Sequence, residues 1–391
     1  MGRRPTCPRR RFATLLVAAA AALAACVPAT ATAADSPPEG SAFEGNGMWI
    51  WYVSKASGGS PGAIAERARD HRVETVYVKS GDAGNYWSQF SKDLVASLHE
   101  RGLNVCAWQF VYGDHPRDEA KAAGKAVRNG ADCFVIDAET HYEGKYSQAR
   151  TYVNRLRDAA GRDYPIGLAS FPYTDYHPAF PYSVFLGPGG AQFNLPQTYW
   201  RHIGDSVDTA LEHTYAWNRL YGRPIMPLGQ LYMQPPRREI IRFRRYVRAA
   251  RSKGVSWWSW QHANSAEWDA VGDGFRSMDG DVSQEFAELR EGSEGDFVLW
   301  AQQHLRGAGE KPSLSARFRD GTKRAVRRFQ EKQGLPISGR IDTATWEDLL
   351  RYKPVRAASS SVSSARVGGR NGPPTAWLPA RRYEIPPPAA R

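Results

Sequence analysis

Eight short apolar runs recur between residues 48 and 261, separated by charged amphipathic stretches. This alternation restricts the fold more than any other feature. The runs are 48–53, 74–80, 104–111, 132–138, 165–171, 194–199, 224–231 and 255–261, and each has the length and β-branched or aromatic content of a buried strand. Helical patterns occupy 61–72, 88–101, 116–130, 145–160, 205–221 and 236–253, while the stretch after the fifth run is irregular and rich in Pro, Gly and Tyr. Gly102, Gly130, Gly161, Gly222 and Gly254 stand where helices should stop, and Ser60-Pro61 and His115-Pro116 stand where they should start. Eight strand–helix units in sequence predict an α/β fold of the (β/α)8 barrel type. A doubly wound sheet is the alternative, but no run is followed by a glycine-rich phosphate-binding turn.

The ends of the chain differ from this middle. Residues 1–34 carry five Arg and no acid, and residues from Val355 onward carry six Arg and one Glu. The formal charge of +12 is therefore almost wholly terminal. A folded basic face for nucleic acid is not expected, though a basic tail could touch an anionic wall. Arg9 to Arg11, the apolar Phe12–Ala25 and Ala31-Thr32-Ala33 have the layout of an export signal, by the general or the twin-arginine route. Leu23-Ala24-Ala25-Cys26 offers a second reading, with a lipid anchor on Cys26. Either places the mature chain outside the cytoplasm, extracellular or in the cell envelope, with no membrane span. The domain expectation is 1–34 export signal, 35–45 linker, 46–279 barrel, 280–294 linker, 295–352 a small helical domain and 353–391 a disordered basic tail. Cys106 and Cys133, on consecutive strands, could pair or could be two buried thiols.

In such a barrel, chemistry belongs at the C-terminal ends of the strands. Asp137 and Glu139 follow the apolar Cys133–Ile136, and residues two apart on a strand point the same way. Two close carboxylates raise one another's pKa, which suits a proton donor near neutral pH and hence glycoside hydrolysis. The bland alternative is a loop cap, or pairing with Lys79 or Lys145. His141 continues the alternation and would make a metal set with the two acids; no metal or cofactor is expected. Aromatic and polar residues at other strand ends suit a sugar face and its hydroxyls: Trp51, Lys79, Trp108, Gln197, Tyr199, Tyr232, Trp258, Trp260 and Gln261.

Two resemblances extend this reading. Gly295, Val298, Gln302, Leu305, Asp320-Gly321-Thr322, Ala325-Val326, Phe329-Gln330, Gly334-Leu335-Pro336, Gly339, Asp342, Thr345-Trp346 and Leu349 resemble the three-helix peptidoglycan-binding domain of bacterial cell-wall hydrolases. That implies a small all-α domain after the barrel and a cell-wall glycan as partner. Asp137-Ala138-Glu139 and Trp260-Gln261-His262 resemble the fourth and last strands of family 25 glycoside hydrolases, the barrel-type muramidases. That resemblance implies Glu139 as general acid and Asp137 as its partner. The chain departs from the pattern at Trp51-Tyr52, where the family has an Asp, and at Gln197 and Tyr199, where it has another carboxylate. Two functions follow as expectations: an exported glycosidase acting on peptidoglycan or a related N-acetylated glycan, or a silent carbohydrate-binding barrel of the envelope.

Overall fold

The computed structural model describes residues 1–2, 39–274 and 282–356. The expected export signal, the Cys26 anchor and the tail beyond Arg356 lie outside the described residues.

Eight parallel strands close into a barrel: β1 (Gly45–Ile50), β2 (Thr75–Asp82), β3 (Asn104–Val111), β4 (Cys133–Ala138), β5 (Ile166–Ser170), β6 (Phe193–Thr198), β7 (Leu228–Gln230) and β8 (Gly254–Trp258). Closure is direct, because β1 pairs with β2 on one side and β8 on the other. A two-residue strand, Asn85–Tyr86, adds an antiparallel extension to the end of β2. Helices α1 (Pro61–Asp70), α2 (Lys92–His99), α3 (Pro116–Arg128), α4 (Tyr146–Ala160), α5 (Val207–Asn218), α6 (Arg237–Ala249) and α7 (Ser265–Gly272) surround it. Their starts follow from side-chain caps: Ser60, Ser91 and Ser206 each accept a backbone N–H of the first turn, and Asn264 and Glu267 cap α7 reciprocally. After β5 the chain makes two short helical turns, Thr174–Tyr176 and Tyr182–Phe185. The seventh run, expected over 224–231, forms a ladder only at Leu228–Gln230, because Pro224 and Pro227 have no N–H to donate.

The period of two along each strand sorts side chains into two cores. Met48, Ile50, Val76, Val78, Val105, Ala107, Phe134 and Ile136 point outward under the helices. Trp49, Tyr77, Cys106, Trp108, Cys133, Val135, Leu195 and Trp258 point inward and fill the barrel, with Phe43 closing its N-terminal end. Cys106 and Cys133 are register partners and form a disulfide inside the barrel. It closes a loop of 27 residues. The double variant Cys106→Ala/Cys133→Ala is expected to lose about 3 kcal/mol of unfolding free energy, read from urea unfolding. Equal stability of variant and oxidised parent would refute this.

The C-terminal helices α8 (Asp296–Gly307), α9 (Asp320–Gln333) and α10 (Thr343–Leu349) bury Val298, Leu305, Val326, Phe329, Trp346 and Leu349 together. Two buried glutamines brace its loops. Gln302 accepts from Ser315 N and Ala316 N, and Gln330 accepts from Gly339 N. Residues 282–294, expected as linker, run along this bundle instead: Leu289 and Ile341 exchange backbone hydrogen bonds at 2.8 and 3.0 Å. The bundle also touches the barrel. Asp296 accepts from Ser183 N at 2.7 Å, Ser183 Oγ at 2.6 Å and Tyr221 Oη at 3.1 Å, and Trp300 Nε1 donates to Leu220 O at 2.7 Å. Gly295 takes φ 135° there, and a Cβ on it would lie 2.7 Å from Pro178, so only glycine admits this approach. Among the described residues no helix is long and apolar enough to cross a membrane.

Candidate active site

The inward rows continue past the packed interior to the C-terminal mouth: Trp49 leads to Trp51, Tyr77 to Lys79, Val135 to Asp137 and Glu139, and Leu195 to Gln197. They line a pocket of about 200 Å³, together with Trp108, Tyr199 and Trp258. Asp137 and Glu139 are both buried, and one amide group joins them. Gln197 Nε2 donates to Asp137 Oδ1 at 2.9 Å and to Glu139 Oε1 at 3.0 Å. Two oxygens held by one nitrogen are closer than the roughly 6.5–9.5 Å that separates the carboxyl groups of inverting glycosidases.

Burial raises both acids above the ordinary carboxylate range. The charge on Glu139 pushes Asp137 further up, and Lys79 pulls it partly back. Glu139 is raised to about 7, with the Gln197 hydrogen bond opposing the shift. The pair therefore retains a proton at neutral pH. The lysines that could have neutralised it are engaged elsewhere: Lys79 pairs with Asp82 at 2.7 Å, and Lys145 with Asp114 at 2.5 Å. Lys79 is itself 1% exposed and ringed by Trp51, Trp87 and Trp108 at 4.1, 4.6 and 4.9 Å. Burial lowers its pKa, against the pull of Asp82.

The wall of the pocket is aromatic. Trp51 meets Trp108 and Trp258 edge-on at 5.7 and 5.5 Å. Among the described residues, the indole Nε1 atoms of Trp51 and Trp258 are buried with no acceptor. An indole wall facing two carboxylates in one pocket suits a ligand with C–H faces and hydroxyl groups.

Of the residues expected at the site, Trp51, Lys79, Trp108, Asp137, Glu139, Gln197, Tyr199 and Trp258 come together here. Tyr232 stands behind them, its ring 5.4 Å from that of Tyr199. Trp260 and Gln261 do not reach the pocket, which corrects the expectation for both. Beyond β8 the chain turns outward, so Trp260 packs on Trp268 with centroids 4.6 Å apart. Gln261 bridges backbone, accepting from Trp51 N and donating to Tyr52 O. Trp49, Asp82, Phe110, Tyr112, His141 and Leu228 also line the pocket. The alternation through Trp51 could have revealed Trp49. The His141 ring lies against Tyr112 at 4.7 Å, and among the described residues no cluster of three acids, histidines or cysteines could hold a metal ion.

A family model for a peptidoglycan binding domain matches residues 294–349. No curated protein matches the chain. Among solved structures, the chain is similar to the endo-beta-1,4-mannanase from Thermotoga petrophila, at 11% identity and TM-score 0.44 over 60% of this chain and 77% of that one. It is also similar to the Bacillus cereus spore cortex-lytic enzyme SleL, at 11% identity and TM-score 0.45 over 58% and 73% of the two chains. A chitinase from Chromobacterium violaceum aligns at 14% identity and TM-score 0.39 over 57% and 97%.

Proposed function

We propose that the chain is an exported glycoside hydrolase of the cell envelope, acting on peptidoglycan or a related N-acetylated glycan. The observation that carries this reading is the Asp137–Glu139 pair, buried, joined by Gln197 and open to an aromatic pocket. A sugar ring stacks its C–H face on the indoles of the pocket wall. Glu139, nearest the mouth, gives its proton to the bridging oxygen as the bond to the anomeric carbon breaks. Asp137, in its ionised form, stabilises the positive charge left on that carbon, and water adds to the carbon and returns a proton to Glu139. The peptidoglycan-binding module supports a wall substrate, since linkage to a wall-bound module raises the local concentration of glycan.

The test is incubation of the mature chain with purified peptidoglycan, followed by reducing-end and product-mass measurements. New reducing ends are expected. A second reading has its own support: Trp51 and Gln197 occupy positions where a family 25 enzyme carries carboxylates. Pelleting onto the wall with no new reducing ends would make the barrel a carbohydrate-binding scaffold and overturn the hydrolase.

A further inference from the structure

The pocket that holds the acid pair is a pit and not a groove. Every strand except β5 sends at least one side chain into its lining, from Trp49 on β1 round to Trp258 on β8. A groove has two walls and two open ends, whereas this lining runs almost the whole way round the barrel axis.

The acids stand part-way down. Asp82, Phe110 and Asp137 are register partners across β2, β3 and β4, and Lys79, Trp108 and Val135 form the next tier below. Above the acids the same rows continue to Trp51 and Tyr112, both half-buried, and to His141, which is exposed. Asp137 is 6% exposed and Glu139 8%. Beneath the Lys79 tier the barrel is filled. Tyr77, Cys106 and Cys133 are register partners there, each 2% exposed or less. The pit is therefore closed from below.

Volume sets how much can enter. Drug-sized ligands occupy pockets of roughly 300–1,000 Å³. A hollow of about 200 Å³ admits one substituted sugar ring and not a second. A strand lying across the mouth could not bring an internal glycosidic oxygen to carboxyls at this depth. A strand end can, by lowering its last sugar into the pit. The acid protonates the oxygen between that sugar and the rest of the strand, and the anomeric carbon stays with the sugar in the pit. The sugar so placed is the one at the non-reducing end.

We propose that the pocket takes the non-reducing terminal sugar of a glycan strand and releases it as a monosaccharide, so that the chain works from strand ends and not within strands. The inference rests on the hydrolase reading for its chemistry. Each turnover breaks the bond between the terminal anomeric carbon and the bridging oxygen. That oxygen takes the Glu139 proton and stays with the strand, while water gives its hydroxyl to the carbon and a proton back to Glu139.

The test substrate is a peptide-free peptidoglycan strand of six sugars, with N-acetylglucosamine at its non-reducing end and the other end reduced by borohydride. It is incubated with the full chain, and products are read by mass. The expected first products are a free monosaccharide and a five-sugar strand that keeps the reduced end. A benzylidene acetal across O4 and O6 of the terminal sugar adds a phenyl ring. It should lower the initial rate by about tenfold or more, because a fixed cavity resists overpacking. Equal rates on blocked and unblocked strands overturn the inference. So do first products of two to four sugars that carry the reduced end. In both cases the hydrolase reading survives. No product from the unblocked strand overturns the hydrolase reading and the inference with it.

Discussion

Glu139→Gln is expected to lower reducing-end release from peptidoglycan by about 10²–10⁴-fold, the usual contribution of a positioned proton donor. Shape is kept, and the new side-chain carbonyl can still accept from Gln197 Nε2, so circular dichroism and wall pelleting should not change. Only the transferable proton is lost. The same group sets the pH profile. Because burial raises Glu139 to about 7, its proton is present below that pH and lost above it. The kcat/KM of the parent should therefore fall as pH rises through about 7. Activity that persists well above 7, with Asp137→Asn rather than Glu139→Gln abolishing it, would transfer the acid's role to Asp137. Full activity in both variants would end the glycosidase reading.

Asp296→Ala is expected to lower unfolding free energy by about 2–4 kcal/mol, because it removes the acceptor of buried donors on Ser183 and Tyr221. Asp296→Asn, which keeps one acceptor oxygen, should lose less. The two also differ in pH response. Burial raises the folded carboxyl to about 6, against the pull of its hydrogen bonds. An aspartate in the unfolded chain titrates near 3.9. A raised folded value means that the proton-linked stabilisation is complete below about pH 4 and is lost as pH rises through about 6. The stability of the parent relative to Asp296→Asn should fall across that window, measured as urea midpoints at pH 4, 5, 6 and 7. A flat difference would show that Asp296 does not titrate with folding.

The barrel was legible because one physical rule, the two-residue period of a strand, acts along its whole length. Apolar runs disclose strands, and the same period that hides Val135 carries Asp137 and Glu139 to the mouth. The rule ends where the strand ends. Trp260 and Gln261 continue the run in sequence, but the backbone has already turned, and Gln261 serves Trp51 N and Tyr52 O instead of a ligand. The sequence offers Gln197 only as a polar residue at a strand end, suited to a sugar hydroxyl. Its bridging of two acids depends on the pairing of strands far apart in the chain, which no local pattern encodes. The contact between Asp296 and Ser183 was invisible for the same reason, since an acid at a helix start looks like an ordinary first-turn carboxylate.

That contact has a consequence for how the molecule would meet a surface. A catalytic unit on a slack leash can sweep the area around its point of attachment. Here Asp296 and Trp300 fasten the bundle to the flank of the barrel, and the backbone of Gly295 lies close against Pro178. Bundle and mouth then arrive in one posture. If the proposed hydrolase reading holds, the bonds within reach would be decided by where the bundle lands, and a spent patch of wall would be left behind only by letting go.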